Sequence, residues 1–212
     1  KVMESLVAEG LNPKKVKALV INYPNNPLGA TATKEYYADV VKFCKKHNIL
    51  LISDAAYSDM YFKPELKPIS IFEIEGAKDI AVEFFSFSKS YAMTGWRLGY
   101  ACAPVEIITQ MTKIHQFCIM CAPTTSQYAA VDALKNGDED VAKMRESYDQ
   151  RRRYLVHAFK EMGLECFEPF GAFYIFPCIK EFGMTSDEFA NRFLQEEKVA
   201  VVPGTAFGDC GE

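Results

Sequence analysis

The 212-residue sequence has no excess of positive charge and no long apolar run. Its 24 lysines and arginines are outnumbered by 28 aspartates and glutamates, which gives a net charge of -4. Because charges of both signs are scattered along the chain, nucleic acid and anionic membranes are disfavoured as the main partner. No apolar stretch is long enough to span a membrane and no signal peptide is recognisable. The sequence therefore predicts a cytoplasmic globular protein.

Metal-ligating residues are also sparse and poorly spaced. The seven cysteines stand at irregular intervals, mostly within apolar stretches, which is typical of reduced intracellular thiols. Cys118 and Cys121 form a CxxC motif, but no second cysteine or histidine pair at ligand spacing accompanies them. We therefore favour a core role over a zinc or redox site and predict no metal centre.

Apolar runs alternate with a helical pattern in the first half of the chain. KALVIN (residues 17–22) precedes a helical period over 33–48, and ILLISD covers 49–54. A third run, IAVEFF, ends before Ser86, and RLGYACA follows at 97–103. Continuous apolar strands separated by a helix are typical of a parallel sheet with helices on both faces. The predicted fold class is α/β with a mainly parallel sheet.

The second half of the chain predicts further helices and a smaller unit. The helical stretches lie at about 104–117, 124–135 and 138–162. Gly137 is a plausible helix stop and Asp138 the next cap. We therefore assign residues 1–137 to part of a large domain and 138–212 to part of a small α+β domain. In the small domain, GAFYIFP and KVAVVPG flank a helix predicted from about Ser186 to Glu197, capped by Thr185 or Ser186.

Polar side chains follow three of the predicted strands. They are Asn26 after the first strand, Asp54 and Tyr57 after the second, Ser86, Ser88 and Lys89 after the third, and Arg97 further along the same loop. Taken singly, each has a purely structural explanation, such as a turn for Asn-Pro-x-Gly, a helix cap for Asp54 or a solvated surface charge for Lys89. Since ligands bind outside the carboxyl ends of parallel strands, their joint occurrence predicts one binding crevice.

This set of side chains meets the demands of pyridoxal phosphate (PLP). The cofactor acts as an electron sink, and it needs a lysine for a Schiff base and an acid beside its pyridine nitrogen. Serine hydroxyls and a fork-shaped arginine suit its phosphate group. A tyrosine and an asparagine can both hydrogen-bond its ring oxygen and stabilise the anionic form. The residues therefore predict a PLP site.

Three motifs then connect the chain to a family: NNPLG (25–29), SDAAY (53–57) and SFSKSYAMTGWRLG (86–99). With them, the chain resembles the fold-type I, class I PLP-dependent aminotransferases of the aspartate and aromatic group over nearly all of its length. The resemblance implies that Lys89 forms the Schiff base and moves the proton, and that Asp54 pairs with the pyridinium nitrogen. It also implies the remaining cofactor contacts, namely Tyr57 and Asn26 at the ring oxygen and Ser86, Ser88 and Arg97 at the phosphate. A cis Asn26–Pro27 bond is expected on the same basis.

The resemblance implies transfer of an amino group from an amino acid to a 2-oxo acid, with an aromatic or dicarboxylic amino acid favoured. KIHQFCIMCAP (113–123) is similar to aromatic and acetyl-diaminopimelate aminotransferases. GAFYIF (171–176) and VVPGTAFG (201–208) resemble the small domain that closes over the substrate. Two alternatives remain open: a carbon–sulfur lyase on the same scaffold, and an aminotransferase-like effector-sensing domain of a transcription regulator.

The family pattern extends beyond both ends of this sequence. By resemblance, a glycine-containing phosphate loop and an aromatic residue that stacks on the cofactor precede it, and the arginine for the substrate carboxylate follows it. We therefore expect the chain to be about the carboxyl half of a longer protein that is a homodimer when complete. The 212 residues alone are expected to show little transamination.

Overall fold

A computed structural model describes residue 5 and residues 7–212, and a four-stranded sheet lies at its centre. The strands, in their order across the sheet, are β1 (Ala18–Asn22), β2 (Leu50–Asp54), β3 (Ala81–Ser86) and β4 (Gly99–Cys102). The first three run parallel, and β4 is antiparallel to β3. All four strands expected before the proposed domain boundary are thus confirmed, as is a mainly parallel sheet.

The helices follow the predicted bounds to within one or two residues. They are α1 (Lys34–His47), α2 (Phe87–Ser90), α3 (Val105–Cys118), α4 (Thr124–Asn136), α5 (Asp138–Glu161) and α6 (Ser186–Glu197). Only α2, the short turn that carries Lys89, is absent from the sequence prediction. Of the two candidates for the cap of α6, Thr185 is the one used, because it forms a reciprocal capping box with Glu188.

The main core lies between α1 and one face of the sheet. Buried side chains from three strands meet buried side chains of the helix, and these are Ile21, Leu51 and Ala81 with Tyr37, Val40, Val41 and Cys44. The alternation of a strand places Val20 and Phe84 on the other face, where they are 63% and 37% exposed. Because β1, β2 and β3 run parallel and are paired in register, their carboxyl ends meet at one edge of the sheet.

Two helices of the second half pack on the loops at this edge. Ala130 of α4 packs with Phe87 and Met93 around the Lys89 turn. From α5, Met144 and Tyr148 pack in a cluster with buried side chains of the loop after β2. The edge of the sheet is therefore enclosed by parts of the chain that are distant in sequence.

The two apolar runs assigned to the small α+β domain do not form strands. Residues 171–177 contribute to isolated bridges only, Tyr61 with Gly171 and Cys166 with Pro177, and 198–204 carry no strand. A strand needs a ladder of hydrogen bonds to one neighbouring strand. In the first run, the backbone nitrogens of Gly171 and Ala172 instead donate to two different loops, at Gly29 and Met60. Neither run therefore forms a strand in the structure, whereas the helix between them forms as expected. Among the helices of the described residues, none has the length and apolar character of a membrane span.

Candidate active site

Register in the sheet brings the predicted site residues to a common edge. Asn22 pairs with Asp54, and Asp54 pairs with Phe84. The side chain of Asn22 donates from Nδ2 to the backbone oxygen of Asp54 at 3.1 Å and accepts from the backbone nitrogen of Asn26 at 2.8 Å. Asn22 therefore ties the Asn26 loop to the end of β2. The sequence analysis missed this residue, although a polar side chain at the last position of an apolar strand was the available signal.

The Asn26 loop has a tightly defined backbone. Asn25 closes the turn, since its side-chain oxygen accepts from Leu28 at 3.0 Å and its carbonyl accepts from Gly29 at 2.8 Å. The Asn26–Pro27 peptide bond is cis, as expected. Gly29 has a φ of +67°, and a Cβ there would lie 2.5 Å from the carbonyl oxygen of Gly171. Only glycine fits this position, where the loop contacts the C-terminal part of the chain.

Asp54 is a half-buried carboxylate at the end of β2, and few protein groups offset its negative charge. One of its oxygens accepts from the backbone nitrogen of Ala56 at 3.2 Å. It forms no ion pair with any lysine, arginine or histidine in the part of the chain that the structure describes. Its second oxygen can therefore accept from a cationic donor of a ligand.

Tyr57 lies at the same edge and is 4% exposed. Its hydroxyl shares a hydrogen bond with the hydroxyl of Tyr174, and its ring meets that of Phe173 edge to face at 5.3 Å between centroids. Burial first, then this hydrogen bond and the negative charge of Asp54, raise the pKa of Tyr57 above its usual range. The phenol therefore stays protonated and remains a donor.

Lys89 projects from α2 into the same space. Its Nζ lies 5.4 Å from the ring centroid of Tyr57 and 5.4 Å from that of Phe173. Both distances are within the range of a cation–π contact. Across residues 5 and 7–212, the ammonium group has no hydrogen bond or ion pair to a protein group. A half-buried lysine between aromatic rings, with no carboxylate paired to it among the described residues, can react with a ligand carbonyl once the ammonium group has lost a proton.

The turn that carries Lys89 is fixed on both sides by serines. Ser86 caps α2, since its Oγ accepts from the backbone nitrogen of Ser88 at 3.2 Å. Ser90, which is buried, donates from Oγ to Asp59 in the loop after β2. These contacts set the direction of the Lys89 side chain and place the Ser86 and Ser88 residues beside it.

Arg97 is the predicted site residue with the weakest connection to the others. It is exposed, its backbone is left-handed with a φ of +52°, and its NH1 donates to the carbonyl oxygen of Thr94 at 2.7 Å. Thr94 in turn donates from its hydroxyl to the carbonyl of Ser88 at 3.1 Å. The structure thus connects Arg97 to the Lys89 turn through one intervening residue. Four of the five guanidinium donors of Arg97 have no acceptor among the described residues and remain for a ligand.

The CxxC motif lies at the carboxyl end of α3 and just after it. Cys118 ends α3 and Cys121 follows it in the chain, and both are exposed free thiols. Their exposure contradicts the core role that the sequence favoured, because α3 has no buried residue at all. Within the described residues, no group of three or more histidine, cysteine, aspartate or glutamate side chains could hold a metal ion.

Comparisons of sequence and of structure both relate the chain to aminotransferases. Residues 3–210 match the family model for aminotransferase class I and II. Similar curated proteins include an LL-diaminopimelate aminotransferase of Maridesulfovibrio salexigens, 41% identical over 93% of this chain and 51% of that protein, and an aspartate aminotransferase of Pyrococcus abyssi, 43% identical over 94% and 51%. A crystal structure of an aromatic aminotransferase from Pyrococcus horikoshii superposes with a TM-score of 0.92 at 40% identity, over 100% of this chain and 56% of that one. The chain spans about half the length of the curated relatives it matches.

Proposed function

Since the chain belongs to the aminotransferase class I and II family, we propose that the whole protein containing it is a PLP-dependent aminotransferase. It moves an amino group from an amino acid to a 2-oxo acid. The observation that carries this proposal is Lys89, an ammonium group held 5.4 Å from two aromatic rings with no charged partner among the described residues. A reactive amine at the carboxyl end of a parallel strand is what covalent binding of an aldehyde cofactor requires.

The donor chemistry around Lys89 fits PLP. When bound, this cofactor supplies an electron sink for carbanion chemistry at the α carbon of an amino acid. Asp54 offers a carboxylate oxygen for a protonated ring nitrogen, and its charge keeps that nitrogen protonated. Tyr57 offers a neutral phenol as donor to a ring oxygen, and Asn26 supplies an amide at the neighbouring strand end. Each of the three groups has the polarity that its proposed partner needs.

Lys89 has two tasks in this proposal. Its Nζ would hold the cofactor, and as a free amine it would hold and move a proton at the α carbon of the substrate. Tyr57 and Phe173 hold the protonated form of Lys89 beside their rings through cation–π contacts. The absence of an ion pair to Lys89 in the described residues supports both tasks, since no carboxylate competes for the amine.

We also propose that Ser86, Ser88 and Arg97 hold the phosphate group. Ser86 and Ser88 flank Lys89 in α2 and its cap, and Arg97 keeps donors free for a planar, bidentate contact. The hydrogen bonds from Arg97 to Thr94 and from Thr94 to Ser88 support this grouping, because they connect Arg97 to the turn that Ser86 caps.

The substrate is proposed to be an aromatic or dicarboxylic amino acid. This proposal is supported by two similar proteins, one named an aspartate aminotransferase and the other an aromatic aminotransferase.

We further propose that residues 1–137 belong to the cofactor-binding domain and 138–212 to a smaller domain. A cytoplasmic homodimer is proposed for the whole protein, and exposed apolar side chains on α3 and α4, Ile114, Phe117 and Tyr128, support a subunit contact there.

A half-reaction screen tests the proposal. The whole protein, loaded with PLP, is mixed with single amino acids and no acceptor, and the matching 2-oxo acid is measured together with the loss of bound-PLP absorbance. We expect stoichiometric 2-oxo acid from at least one aromatic or dicarboxylic amino acid. Pyruvate and ammonia in place of a matching 2-oxo acid would indicate a lyase and contradict the proposal, as would no reaction with any amino acid.

A further inference from the structure

Tyr174 lies far from the other site residues in sequence but contacts the site directly. It follows the proposed domain boundary, whereas Tyr57 precedes it, and their hydroxyls share a hydrogen bond. The two rings also meet edge to face, with 5.6 Å between centroids. The sequence analysis assigned GAFYIF to the small domain and gave Tyr174 no role in the site.

The segment that carries Tyr174 is fixed by its backbone to both neighbouring loops. The backbone nitrogens of Phe170 and Gly171 donate to the carbonyl of Gly29 at 3.0 and 2.9 Å, and that of Ala172 donates to the carbonyl of Met60 at 2.8 Å. Gly29 belongs to the Asn26 loop and Met60 to the loop after β2. The position of Tyr174 is therefore set by the same loops that carry the proposed cofactor ligands.

Close packing leaves this segment little freedom. A Cβ at Gly171 would lie 2.5 Å from the side chain of Pro24, and Ala172 is fully buried with a left-handed φ of +56°. Phe173 stacks on Tyr148 of α5 at 5.1 Å. A tyrosine hydroxyl carried by so constrained a backbone has a fixed position, which a positioning role requires.

The hydrogen-bonding capacity of a phenol decides what Tyr174 can contribute. A tyrosine hydroxyl has one proton to donate and lone pairs that accept. Either hydroxyl can be the donor of the bond between them. When Tyr57 donates its proton to a cofactor oxygen, the lone pairs of its own oxygen remain able to accept, and Tyr174 is the group placed to donate to them. Hydrogen bonds in a chain strengthen one another in a low-dielectric site, so the second phenol makes the first a better donor.

We propose that Tyr174 is a positioning residue of this site, which holds the Tyr57 hydroxyl in place and strengthens its hydrogen bond to the cofactor. The inference rests on the proposed function. Through Tyr174, the segment 169–174 of the C-terminal part would act on the Tyr57 hydroxyl. A residue with a purely structural role would fill the same space but would not affect the cofactor through Tyr57.

The test compares Tyr174→Phe with Tyr148→Phe in the whole protein. Both variants lose one hydroxyl from the same cluster, but only Tyr174 bonds to Tyr57. The dissociation constant for PLP is measured by titration of the apoprotein. We expect Tyr174→Phe to weaken PLP binding by about three- to tenfold, the range for loss of one hydrogen bond, and Tyr148→Phe to have no effect. The pH midpoint of the bound cofactor's absorbance change should also rise, as in Tyr57→Phe but by less, because a weaker donor stabilises an anionic ring oxygen less.

A double-mutant cycle separates the route through Tyr57 from a general packing effect. In a Tyr57→Phe background, Tyr174→Phe should cause no further loss of PLP affinity, because the group it acts on is gone. Full additivity of the two substitutions would overturn the inference, and so would equal effects of Tyr174→Phe and Tyr148→Phe. Failure of Lys89 to bind PLP covalently would instead overturn the proposed function, so the two failures are distinguishable.

Discussion

Glu83 and Asp54 are acids on neighbouring strands. Glu83 pairs with Ser53 across the sheet, and Asp54, the residue after Ser53, therefore faces the opposite side. Glu83 is 1% exposed, and its carboxylate accepts from the Ser53 hydroxyl at 3.1 Å, the Ser70 hydroxyl and the Ile71 backbone nitrogen at 3.0 Å. Asp54 is more exposed and accepts one backbone hydrogen bond. Burial alone would single out the wrong acid, because Glu83 has its hydrogen bonds inside the fold whereas Asp54 has capacity left for a ligand.

The same contrast applies to the lysines. Lys63 and Lys89 both lie over aromatic rings, with the Nζ of Lys63 4.2 Å from the ring centroid of Phe170. Only Lys89 stands at the edge where three strands end. Functional side chains in this fold are therefore marked by a position at this edge together with unused hydrogen-bonding capacity.

The largest expected effect is that of Lys89→Ala. Loss of the proton-transfer group should lower turnover of the whole protein by at least about 10²- to 10⁴-fold. Thermal unfolding of the apoprotein should change little, because the ammonium makes no hydrogen bond or ion pair in the described residues. Lys63→Ala is the matched control. It also removes an ammonium group from an aromatic ring, but away from the edge where three strands end, and it should leave turnover within about twofold. Equal losses in both variants would break the comparison.

Asp54→Ala should have the next largest effect. Without the carboxylate, stabilisation of the protonated ring nitrogen is lost, and turnover should fall by about 10²- to 10³-fold, the range for one electrostatic contact in an active site. PLP should still attach to Lys89. Steady-state kinetics and mass spectrometry of the reduced protein measure the two effects, and normal turnover would remove Asp54 from the mechanism.

Glu83→Ala should show the opposite pattern. It leaves three donors without an acceptor inside the fold, so the free energy of unfolding should fall by about 2–3 kcal/mol. Chemical denaturation of the apoprotein checks this value, with Glu83→Gln as the conservative control that retains an acceptor oxygen. Turnover per folded molecule should be preserved. A loss of turnover without a loss of stability would show that the contrast between the two acids is wrong.

Arg97→Lys should have the smallest of the four effects. The substitution keeps the charge but loses the planar pair of donors, and PLP binding should weaken by about 1–3 kcal/mol. Because Arg97 is exposed and bonds only to a carbonyl oxygen in the described structure, stability should be unaffected. Equilibrium titration of the apoprotein with PLP measures the change, and unchanged affinity would remove Arg97 from the phosphate contacts.

The sheet and its edge could be predicted because local signals determine them. Apolar runs defined β1 to β3, and polar residues at their ends located Asp54 and Lys89 before any tertiary contact was known. Likewise, the sequence placed the cap of α6 at Thr185 or Ser186, and the structure selects Thr185 through its capping box with Glu188. In each case the physical cause lies within a few positions of the residue concerned.

Contacts between distant parts of the chain could not be predicted in this way. GAFYIFP has the apolar character of a strand, but its backbone donors bond to Gly29 and Met60, which no local pattern reveals. The pairing of Tyr174 with Tyr57 depends on the same docking. The only signal was a tyrosine in an apolar run, whose hydroxyl requires a partner once it is buried.

The central claim is that Lys89 is the residue that binds the cofactor. The direct test is to reduce the PLP-loaded whole protein with borohydride, digest it and locate the modified peptide by mass spectrometry. We predict a single phosphopyridoxyl group on Lys89, with none on Lys63. A phosphopyridoxyl group on another lysine, or none on any lysine, would contradict the account.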